Sequence, residues 1–349
     1  MSTRIAIVGA GAIGGYIGAH LARAGHAPVM IDGWPENVAA INRDGMRVTA
    51  MENDGCFTAK LRALNIGEVP QLAWEKPFDI AFIAVKSYDT EWATALILPY
   101  LSQQGVLVSA QNSINEDRIA AIAGWQRVLG CSIALLSAEL VEPAHVQRNS
   151  LRGDAARTGM KVGEVHGRVT PRAEAVAALL AHGDSTKVTT NLWGDRWSKL
   201  VINAMRNGPC AMTGMSSRQR DEDDLVRRLS IRLGSQAVRV GRAAGLALEP
   251  VSGLDLDLLA RAEGDAEAMV ALEEQIAAVN ATRNDASRPS MGQDIIKGRR
   301  TETEWINGLV ARRGAELGVE ASLHAKVNAI LRRIEARELQ PSPKHAIGL

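Results

Sequence analysis

One segment, residues 4–32, constrains the fold of this chain more than any other. It opens with a short apolar run, passes through a glycine-rich turn, and reaches a second apolar run, residues 28–31, that ends at Asp32. The first run is too short to cross a membrane and suits a strand buried on both faces. The apolar residues after the glycines have helical spacing. The segment therefore predicts a strand, a tight turn, a helix and a second strand.

The three glycines, Gly9, Gly11 and Gly14, form the pattern G-x-G-x-x-G between strand and helix. In a dinucleotide-binding turn, the first glycine makes the bend, the second lets a pyrophosphate approach the backbone, and the third permits close helix–strand packing. The free amides at the start of the helix, at Ala12 and Ile13, would then face the phosphates. A glycine-rich turn in an ordinary α/β unit is the alternative.

Asp32, at the end of the second apolar run, bears on the choice of cofactor. An acid at this position accepts hydrogen bonds from the adenosine ribose and repels a 2′-phosphate, which favours NAD over NADP. No arginine follows Asp32 closely, although Arg43 on the next predicted helix, residues 35–44, is near enough to swing in. A second interpretation stays open, in which Asp32 caps the helix that starts near Pro35.

The composition of the chain argues against several other classes of function. Its 349 residues carry a net charge of +1, which gives no attraction to nucleic acid or to an acidic membrane surface. Three isolated cysteines, Cys56, Cys131 and Cys210, fit a reducing compartment and no metal-ligand spacing. No apolar run reaches the roughly 18 residues of a membrane span, and we expect no signal peptide. These observations favour a cytoplasmic protein without a metal, membrane or nucleic-acid partner.

Strands that alternate with helices over the first 190 residues predict a mostly parallel, doubly wound sheet. Predicted strands include residues 79–85, 105–109 and 128–136, and two predicted pairs, 45–50 with 56–61 and 144–148 with 160–165. Ligands bind outside the carboxyl ends of the strands in such sheets. Lys86 and Asn112 follow two of these ends, so we expect both to face cofactor and substrate.

Strand patterns end near residue 190, and long amphipathic helices follow. We predict them at residues 191–207, 222–244, 254–284, 291–317 and 322–337. The predicted organisation is a Rossmann-type NAD(P)-binding domain over residues 1–190, a helical substrate domain over 191–337 and a loose tail over 338–349. We expect the active site in the cleft between the two domains.

On the first of these helices, Lys199, Asn203 and Asn207 recur at intervals of four residues. This spacing places one cation and two amides on a single face. The apolar neighbours Leu200 and Ala204 face elsewhere and are free to pack. The stripe is typical either of a ligand-binding face or of a solvated face that holds a lysine, and spacing alone leaves both open.

Residues 287–308 carry a second polar cluster. Ser290 stands where a helix would begin, so its hydroxyl either caps that helix or, with the free amides there, holds a substrate carboxylate. Taken alone, an acid such as Glu302 is typical of a solvent-exposed helix face. Four polar residues are predicted to lie within the helix: Asp294, Thr301, Glu302 and Glu304.

Four features in chain order resemble the ketopantoate reductase (2-dehydropantoate 2-reductase) family. They are GAGAIG near the N-terminus, Lys86 with Gln111-Asn112 at two strand ends, W-x-K-L-x-x-N-x-x-x-N at 197–207, and S-M-x-Q-D-I…R-x-T-E-x-x-x-I-N-G at 290–308. They span nearly the whole chain, and the last two patterns are specific. The resemblance implies a 6-phosphogluconate-dehydrogenase-like fold, in which an all-helical domain follows a Rossmann-type domain. It also implies hydride transfer from a nicotinamide to a 2-keto acid.

Carried over by position, the resemblance implies a catalytic pair. Lys199 matches the catalytic lysine of the family, and Glu302 matches its glutamate. Hydride transfer to a ketone builds negative charge on the carbonyl oxygen, which a protonated lysine stabilises and to which it can donate the proton. Glu302 would then orient the lysine or bind the substrate.

The same resemblance implies binding roles for five further positions. Asn203 and Asn207 match the amides that bind the substrate hydroxyl, and Ser290 matches the serine that binds its carboxylate. Asn112 and Lys86 match residues beside the nicotinamide, and Asn112 is also a candidate for substrate binding. No metal is needed, because the cofactor carries the redox chemistry.

Two departures from the family pattern leave the substrate and cofactor open. The family commonly has Asn-Gly where this chain has Asn112-Ser113, and it commonly prefers NADPH, with a basic residue near the position of Asp32. The expected activity is therefore NAD(P)H-dependent reduction of a 2-keto acid, with ketopantoate foremost. A related 2-hydroxyacid or opine-type dehydrogenase and a non-catalytic NAD(P)-binding regulator remain as alternatives. A homodimer is compatible with a helical domain of this type.

Overall fold

The computed structural model of this protein describes residues 3–52, 55–250, 253–280 and 288–349. The chain divides into two compact units, Met1–Leu192 and Trp193–Leu349. The division lies two residues from the boundary expected near residue 190. None of the helices in the described ranges has both the length and the apolar character needed to cross a membrane.

The first unit is built from two sheets with helices packed on them. Its strands are β1 (Ile5–Val8), β2 (Val29–Asp32), β3 (Met46–Thr49), β4 (Phe57–Ala59), β5 (Arg62–Asn65), β6 (Phe78–Ile83), β7 (Leu101–Ser109), β8 (Val128–Ile133), β9 (Ala138–Glu142), β10 (His145–Arg148), β11 (Met160–Glu164) and β12 (Thr186–Thr189). Its helices are α1 (Ala12–Arg23), α2 (Pro35–Asp44), α3 (Thr90–Ile97), α4 (Glu116–Ala123) and α5 (Pro171–Leu180).

The larger sheet has eight strands in the order β12-β11-β8-β7-β6-β1-β2-β5. Its neighbours are parallel except β11, which is antiparallel to β8. From β5 to β8 this is the strand order of a doubly wound dinucleotide-binding fold. The chain adds strands on one side of β1 first and then, from β6 onward, on the other side. Strand β1 is buried throughout, with Ala6 and Val8 in one core and Ile5 and Ile7 in the other. The predicted Rossmann-type sheet is confirmed.

The smaller sheet, in the order β4-β3-β10-β9, corrects part of the predicted strand pairing. The pairing of β3 with β4 is as predicted, although residues 53 and 54 of the turn between them lie outside the described residues. The predicted pairing of residues 144–148 with 160–165 is wrong. Strand β10 instead pairs with β3 and β9, whereas β11 pairs with β8 and β12. The predicted strand 128–136 ends at Ile133, because the chain then crosses into the smaller sheet as β9.

A buried ion pair explains why β10 and β11 do not form a hairpin. Arg148, the last residue of β10, donates to Asp184 at 2.7 Å, and neither side chain is exposed to solvent. Asp184 also accepts from the amide of Gly153 at 2.7 Å. The loop between β10 and β11 is therefore held against the turn before β12 and does not fold back on β10.

The second unit is helical over its described residues. Helix α6 (Leu192–Thr213) begins at the last residue of the first unit, and the helices that follow it are α7 (Ser217–Glu222), α8 (Asp224–Ala243), α9 (Leu256–Arg261), α10 (Ala266–Asn280), α11 (Ser290–Ile296), α12 (Asn307–Leu317) and α13 (Ser322–Glu335). Helix α6 was predicted to end at residue 207, but it continues through Pro209 to Thr213.

Two predicted long helices are each broken by local hydrogen bonding. The prediction of one helix over 254–284 is wrong because Asp265 accepts from the amides of Glu267 and Ala268 and so starts a new helix, α10. The last four residues of that prediction, 281–284, lie outside the described residues. The prediction of one helix over 291–317 is also wrong, because α11 ends at Ile296. Two residues later, Gly298 has a left-handed φ of 62°. Arg299 N bonds Asp294 O at 2.8 Å, a Schellman end that stops α11.

The C-terminal residues are packed, so the prediction of a loose tail is wrong. Residues Pro343–Ala346 form a short 3-10 helix capped by Ser342, and Ala346 is buried. The amide of Ser342 donates to Met212 O at 3.0 Å, and Arg232 donates to the carbonyl of Leu349 at 2.6 Å. These bonds attach the tail to α6 and α8.

Candidate functional site

The turn after β1 has the geometry that each of its glycines was predicted to serve. Gly9 has a φ of 99°, and a Cβ there would lie 2.8 Å from Ala84 C and Val85 N. A Cβ on Gly14 would lie 1.9 Å from Gly9 O, so α1 approaches the turn too closely for any side chain. A Cβ on Gly11 would meet no atom within 4 Å. The open space at Gly11 is where a ligand can reach the backbone.

The start of α1 supplies amide donors beside this open space. The first backbone bond of the helix runs from Gly15 N to Gly11 O at 2.8 Å, so the amides of Ala12, Ile13 and Gly14 precede the intrahelical ladder. No acidic residue lies in the first turn of α1. The helix start therefore suits an anionic group such as a pyrophosphate.

Asp32 supports the glycine turn from the neighbouring strand. Its carboxylate accepts from Ala10 N at 2.6 Å and from Trp34 N at 2.8 Å. Burial raises the pKa of Asp32 above its ordinary value, and these two amide donors oppose that shift. Trp34 is the N-cap residue of α2, so the interpretation of Asp32 as the helix cap is wrong. Each carboxylate oxygen has one protein donor here and retains a lone pair for a ligand hydroxyl.

Asn37, on α2, supports this turn and was not predicted from the sequence. Its fully buried side chain donates to Ala10 O at 3.1 Å and accepts from Ala144 N at 2.9 Å. It thereby ties the glycine turn to α2 and to the smaller sheet. A lone asparagine on a short helix carries no sequence signal for such a role.

Lys86 and Asn112 lie where predicted, in the loops that follow β6 and β7, and both are half-buried. The two loops are joined by hydrogen bonds: Ser87 Oγ donates to Asn112 O at 3.3 Å, and Gln111 Nε2 donates to Val85 O at 2.9 Å. Because β6 lies beside β1, these loops and the glycine turn share one edge of the sheet.

The loop after β7 holds a strained residue. Ser113 has a φ of 67°, a left-handed conformation that favours glycine and costs about 1 kcal/mol for other residues. The buried Asn115 side chain, also missed from sequence, donates to Asn112 O at 2.9 Å and to Ser87 Oγ at 3.3 Å. Asn115 accepts in turn from Arg118 at 2.8 Å. These bonds fix the backbone on both sides of Ser113.

In the second unit, α6 carries the predicted stripe of Lys199, Asn203 and Asn207. Asn203 and Asn207 are 5% and 6% exposed, so the stripe is not a solvated face. Lys199 is half-buried. Burial, together with the charge of nearby Arg206, lowers the pKa of Lys199 to about 8. An amine with this pKa exchanges its proton near neutral pH, which suits acid–base chemistry.

Ser290 is brought close to this stripe. Asn207 Nδ2 lies 3.5 Å from Ser290 Oγ, the long limit of a hydrogen bond. The prediction of Ser290 as an N-cap is wrong by one residue, since Pro289 occupies that position and Ser290 begins α11. The hydroxyl is therefore not used to cap the helix.

Glu302 is buried, at 2% exposure, and does not lie on a helix as predicted. It follows α11 and precedes a 3-10 turn, Thr303–Trp305, that leads into α12. Its neighbour Thr301 donates from both backbone N and Oγ1 to Glu335 at 2.6 Å, and Thr303 donates to Asn328 at 2.9 Å. The segment that carries Glu302 is thus pinned to α13, and the interpretation of Glu302 as a surface acid is wrong.

In the ranges that the structure describes, no group of three or more His, Cys, Asp or Glu side chains is placed to hold a metal ion. The strand order and the glycine turn instead define a dinucleotide-binding protein of Rossmann type with a helical second unit. Comparison with known proteins then identifies the family.

Residues 5–163 match the family described as ketopantoate reductase PanE/ApbA, and residues 191–335 match its C-terminal domain. A 2-dehydropantoate 2-reductase of Archaeoglobus fulgidus is 27% identical over 95% of this chain and 98% of its own length. The crystal structure of 2-dehydropantoate 2-reductase from Geobacter metallireducens is 25% identical, with a TM-score of 0.78 over 95% of this chain and 99% of that one. A ternary structure of D-mandelate dehydrogenase with NADH and anilino(oxo)acetate shares the fold, with a TM-score of 0.78 at 22% identity over 96% of this chain and 99% of that one.

The chain belongs to the ketopantoate reductase family, which confirms the resemblance seen in the sequence. It is an NAD(P)-dependent oxidoreductase whose curated relatives are named 2-dehydropantoate 2-reductases.

Proposed function

We propose that this protein reduces a 2-keto acid, ketopantoate foremost, to the 2-hydroxy acid, with Lys199 as the general acid. The observation that carries the proposal is the α6 face. It sets an amine whose pKa is about 8 in line with two buried amides, and one of these amides contacts Ser290. A cation, amides and a hydroxyl are the groups that a keto acid with a hydroxyl substituent requires.

The glycine turn fits a nicotinamide dinucleotide. The open space at Gly11 and the amides of Ala12 and Ile13 suit its phosphates, and Asp32 suits its ribose. Lys86 and Asn112 would lie along the same sheet edge, toward the nicotinamide. When bound in its reduced form, the cofactor supplies the hydride.

The chemistry left to the protein is electrostatic. As the ketone carbon gains hydride, its oxygen gains negative charge, and the Lys199 ammonium stabilises that charge and then donates a proton to it. Glu302 would hold the ammonium or the substrate in place. A pKa near 8 keeps Lys199 protonated at neutral pH and makes the proton easier to release than from an ordinary lysine.

The remaining residues of the second unit would select the substrate. Asn203 and Asn207 offer donors and acceptors for a substrate hydroxyl, and the Ser290 hydroxyl is a donor for its carboxylate. A site built to hydrogen-bond a hydroxyl rejects an analogue that lacks it, because its buried amides are then left unpaired. We therefore expect ketopantoate to be preferred over 2-oxoisovalerate, which lacks the hydroxyl.

NAD is the cofactor we propose, because an acid at the end of β2, Asp32, favours a free ribose hydroxyl over a 2′-phosphate. The D-mandelate dehydrogenase of the same fold holds NADH, which supports the compatibility of this fold with NAD. That neighbour also motivates a second candidate substrate, an aromatic 2-keto acid such as benzoylformate.

The test is a substrate panel with both nicotinamides. Steady-state rates are measured with ketopantoate, 2-oxoisovalerate, pyruvate and benzoylformate, each with NADH and with NADPH; pyruvate plus an amine tests the opine-type alternative. We expect the highest kcat/KM with ketopantoate and NADH. Good turnover of another acid without detectable ketopantoate reduction would reject ketopantoate as the substrate, and a preference for NADPH would show that Asp32 does not decide the cofactor.

A further inference from the structure

Two fully buried polar side chains lie behind the α6 face that carries Lys199, Asn203 and Asn207. Asn307 begins α12 and His324 lies on α13, and both are 0% exposed. Burying polar groups is costly unless they are hydrogen-bonded. Their partners therefore indicate what they hold in place.

The two side chains form a chain of hydrogen bonds across four helices. His324 Nε2 lies 2.9 Å from Leu233 O on α8, and its Nδ1 lies 3.1 Å from Asn307 Nδ2. Because a carbonyl only accepts, Nε2 carries the proton and Nδ1 accepts from Asn307. Burial lowers the pKa of His324 to about 4, which keeps the ring neutral in this arrangement.

The second proton of Asn307 Nδ2 is directed to α6. Asn307 Nδ2 donates to Ala204 O at 3.0 Å. Ala204 follows Asn203 directly and lies within the turn that leads to Asn207. The backbone of the proposed ligand-binding face is therefore bonded from behind by Asn307.

Gly208 shows how closely these helices approach. A Cβ at Gly208 would lie 2.7 Å from Asn307 Oδ1 and 3.0 Å from Val327 Cγ1 on α13. Any other residue at this position would displace Asn307 or α13. The close approach at Gly208 and the hydrogen bond at Ala204 together fix the rotation of α6 about its axis.

We infer that Asn307, braced by His324, is a positioning residue for the reaction: it sets the direction in which Lys199, Asn203 and Asn207 leave α6. The inference rests on the proposed function, since it assumes that this face binds the keto acid. A displacement of about 1 Å at such a face costs on the order of 100-fold in rate. The side chain acts through α6 and touches no reacting atom.

The first test compares wild type with Asn307→Ala. We expect kcat/KM for the keto acid to fall about 10- to 100-fold, while the dissociation constant of the cofactor is unchanged. The pKa of Lys199 is measured separately by competitive labelling with acetic anhydride and peptide mass spectrometry. Loosening α6 admits water, so this pKa should rise from about 8 toward the ordinary lysine value.

Ser235→Ala is the matched control. Ser235 is also fully buried and donates from Oγ to a carbonyl of a neighbouring helix, Ala260 O at 2.9 Å, so its hydrogen bond goes to α9, whereas that of Asn307 goes to α6. We expect a similar loss of thermal stability with kcat/KM within twofold of wild type and with the pKa of Lys199 unchanged.

Variants at His324 and Gly208 also test the position of Asn307. In His324→Asn, the new amide oxygen can accept in place of Nδ1, so it should retain more activity than His324→Ala. Gly208→Ala should displace Asn307 and resemble Asn307→Ala, which keeps the test available if Asn307→Ala does not fold.

The inference is overturned if Asn307→Ala and Gly208→Ala lower stability yet leave both kcat/KM and the pKa of Lys199 as in wild type. Failure of the proposed function looks different. If wild type reduces no 2-keto acid, the labelling measurement still reports whether Asn307 controls the surroundings of Lys199.

Discussion

At the scale of single residues, Lys199 has two roles in the proposed reaction: its ammonium stabilises the developing charge and donates the proton. Removing its ammonium leaves the developing alkoxide without a cation or a proton donor. We expect Lys199→Ala to lower kcat by about 100- to 10,000-fold, with cofactor affinity retained, as measured by steady-state kinetics and by quenching of protein fluorescence. Lys326→Ala, at an exposed lysine on α13, is the control. An unchanged rate in Lys199→Ala would remove this residue from the mechanism.

The pKa of Lys199 gives a second prediction. Reduction requires the protonated amine, so kcat/KM for the keto acid should be constant below the pKa of about 8 and should fall tenfold per pH unit above it. Oxidation of the hydroxy acid requires the neutral amine and should show the opposite dependence. A profile that stays flat between pH 7 and pH 10 in both directions would contradict the assignment.

Alanine substitutions at Gly11 and Gly14 should have different effects, the first on cofactor affinity and the second on stability. Gly11→Ala places its Cβ in open space, so we expect a melting temperature close to that of wild type and a loss of cofactor affinity of about tenfold or more. Gly14→Ala forces a Cβ against Gly9 O, so we expect it to be strongly destabilised whether or not cofactor is present. Calorimetry and cofactor titration check both. Equal cofactor affinity in Gly11→Ala and wild type would show that no ligand occupies that space.

At the scale of elements, the loop after β7 depends on Asn115. Asn115→Ala removes its bonds to Asn112 O, Ser87 Oγ and Arg118, which should cost about 1–3 kcal/mol of stability. Because the strained backbone at Ser113 then relaxes, we expect the KM for the nicotinamide to rise as well. Urea unfolding and steady-state kinetics measure the two effects.

Asn42→Ala is the control for that prediction. Asn42 exchanges two hydrogen bonds with the backbone of Ala63, which connect α2 to β5 away from the loop after β7. It should lose stability with an unchanged KM for the nicotinamide. Equal KM values for the nicotinamide in the two variants and wild type would show that Asn115 does not affect cofactor binding.

The elements also show what could be predicted from sequence. Apolar runs and helical spacing identified β1, β2, β6 and the helices α1, α2, α6, α8 and α13, because burial on one or both faces leaves a periodic trace. The partners of β10 and β11 leave no such trace, since the buried pair of Arg148 and Asp184 joins residues 36 positions apart. The end of α11 at Ile296 is marked in the sequence by Lys297 followed by Gly298, which is a helix-stop signal.

The candidate site divides in the same way. Residues with a motif, such as the glycines of the turn and Lys199, could be found from spacing and resemblance. Asn37 and His324 could not, because each acts through a hydrogen bond to the backbone of a distant segment. Asn115 could not, because its side chain joins its own loop to Ser87, 28 residues earlier in the chain. A buried polar residue without a periodic pattern becomes informative only when the fold has supplied its partner.

At the scale of the whole molecule, each unit contains a buried neutral histidine. Burial lowers the pKa of His20 to about 3 and that of His324 to about 4, whereas the unfolded value is 6.5. Below pH 6.5 the unfolded chain therefore binds protons at these positions that the folded chain does not. Stability should fall as the pH is lowered from 6.5 toward 4, by roughly 3 kcal/mol for each histidine at pH 4.

Urea unfolding of wild type and His324→Asn between pH 7 and pH 4.5 measures this effect. Asparagine does not titrate, so the difference in unfolding free energy between the two proteins should shrink as the pH falls. A difference that is constant across this range would mean that His324 is protonated in the folded protein or exposed to water.

Because the carboxylate of Asp32 already accepts from the amides of Ala10 and Trp34, the residue proposed to select the cofactor also supports the glycine turn. An engineer who exchanges this aspartate for arginine to admit a phosphorylated cofactor also unties the bend in which that cofactor would sit. A switch of coenzyme in this enzyme therefore calls for a replacement acceptor within the bend before the charge is reversed. A library that varies residue 32 alone would therefore miss variants whose basic residue could bind the phosphorylated cofactor, because those variants would also lose the hydrogen bonds that hold the turn.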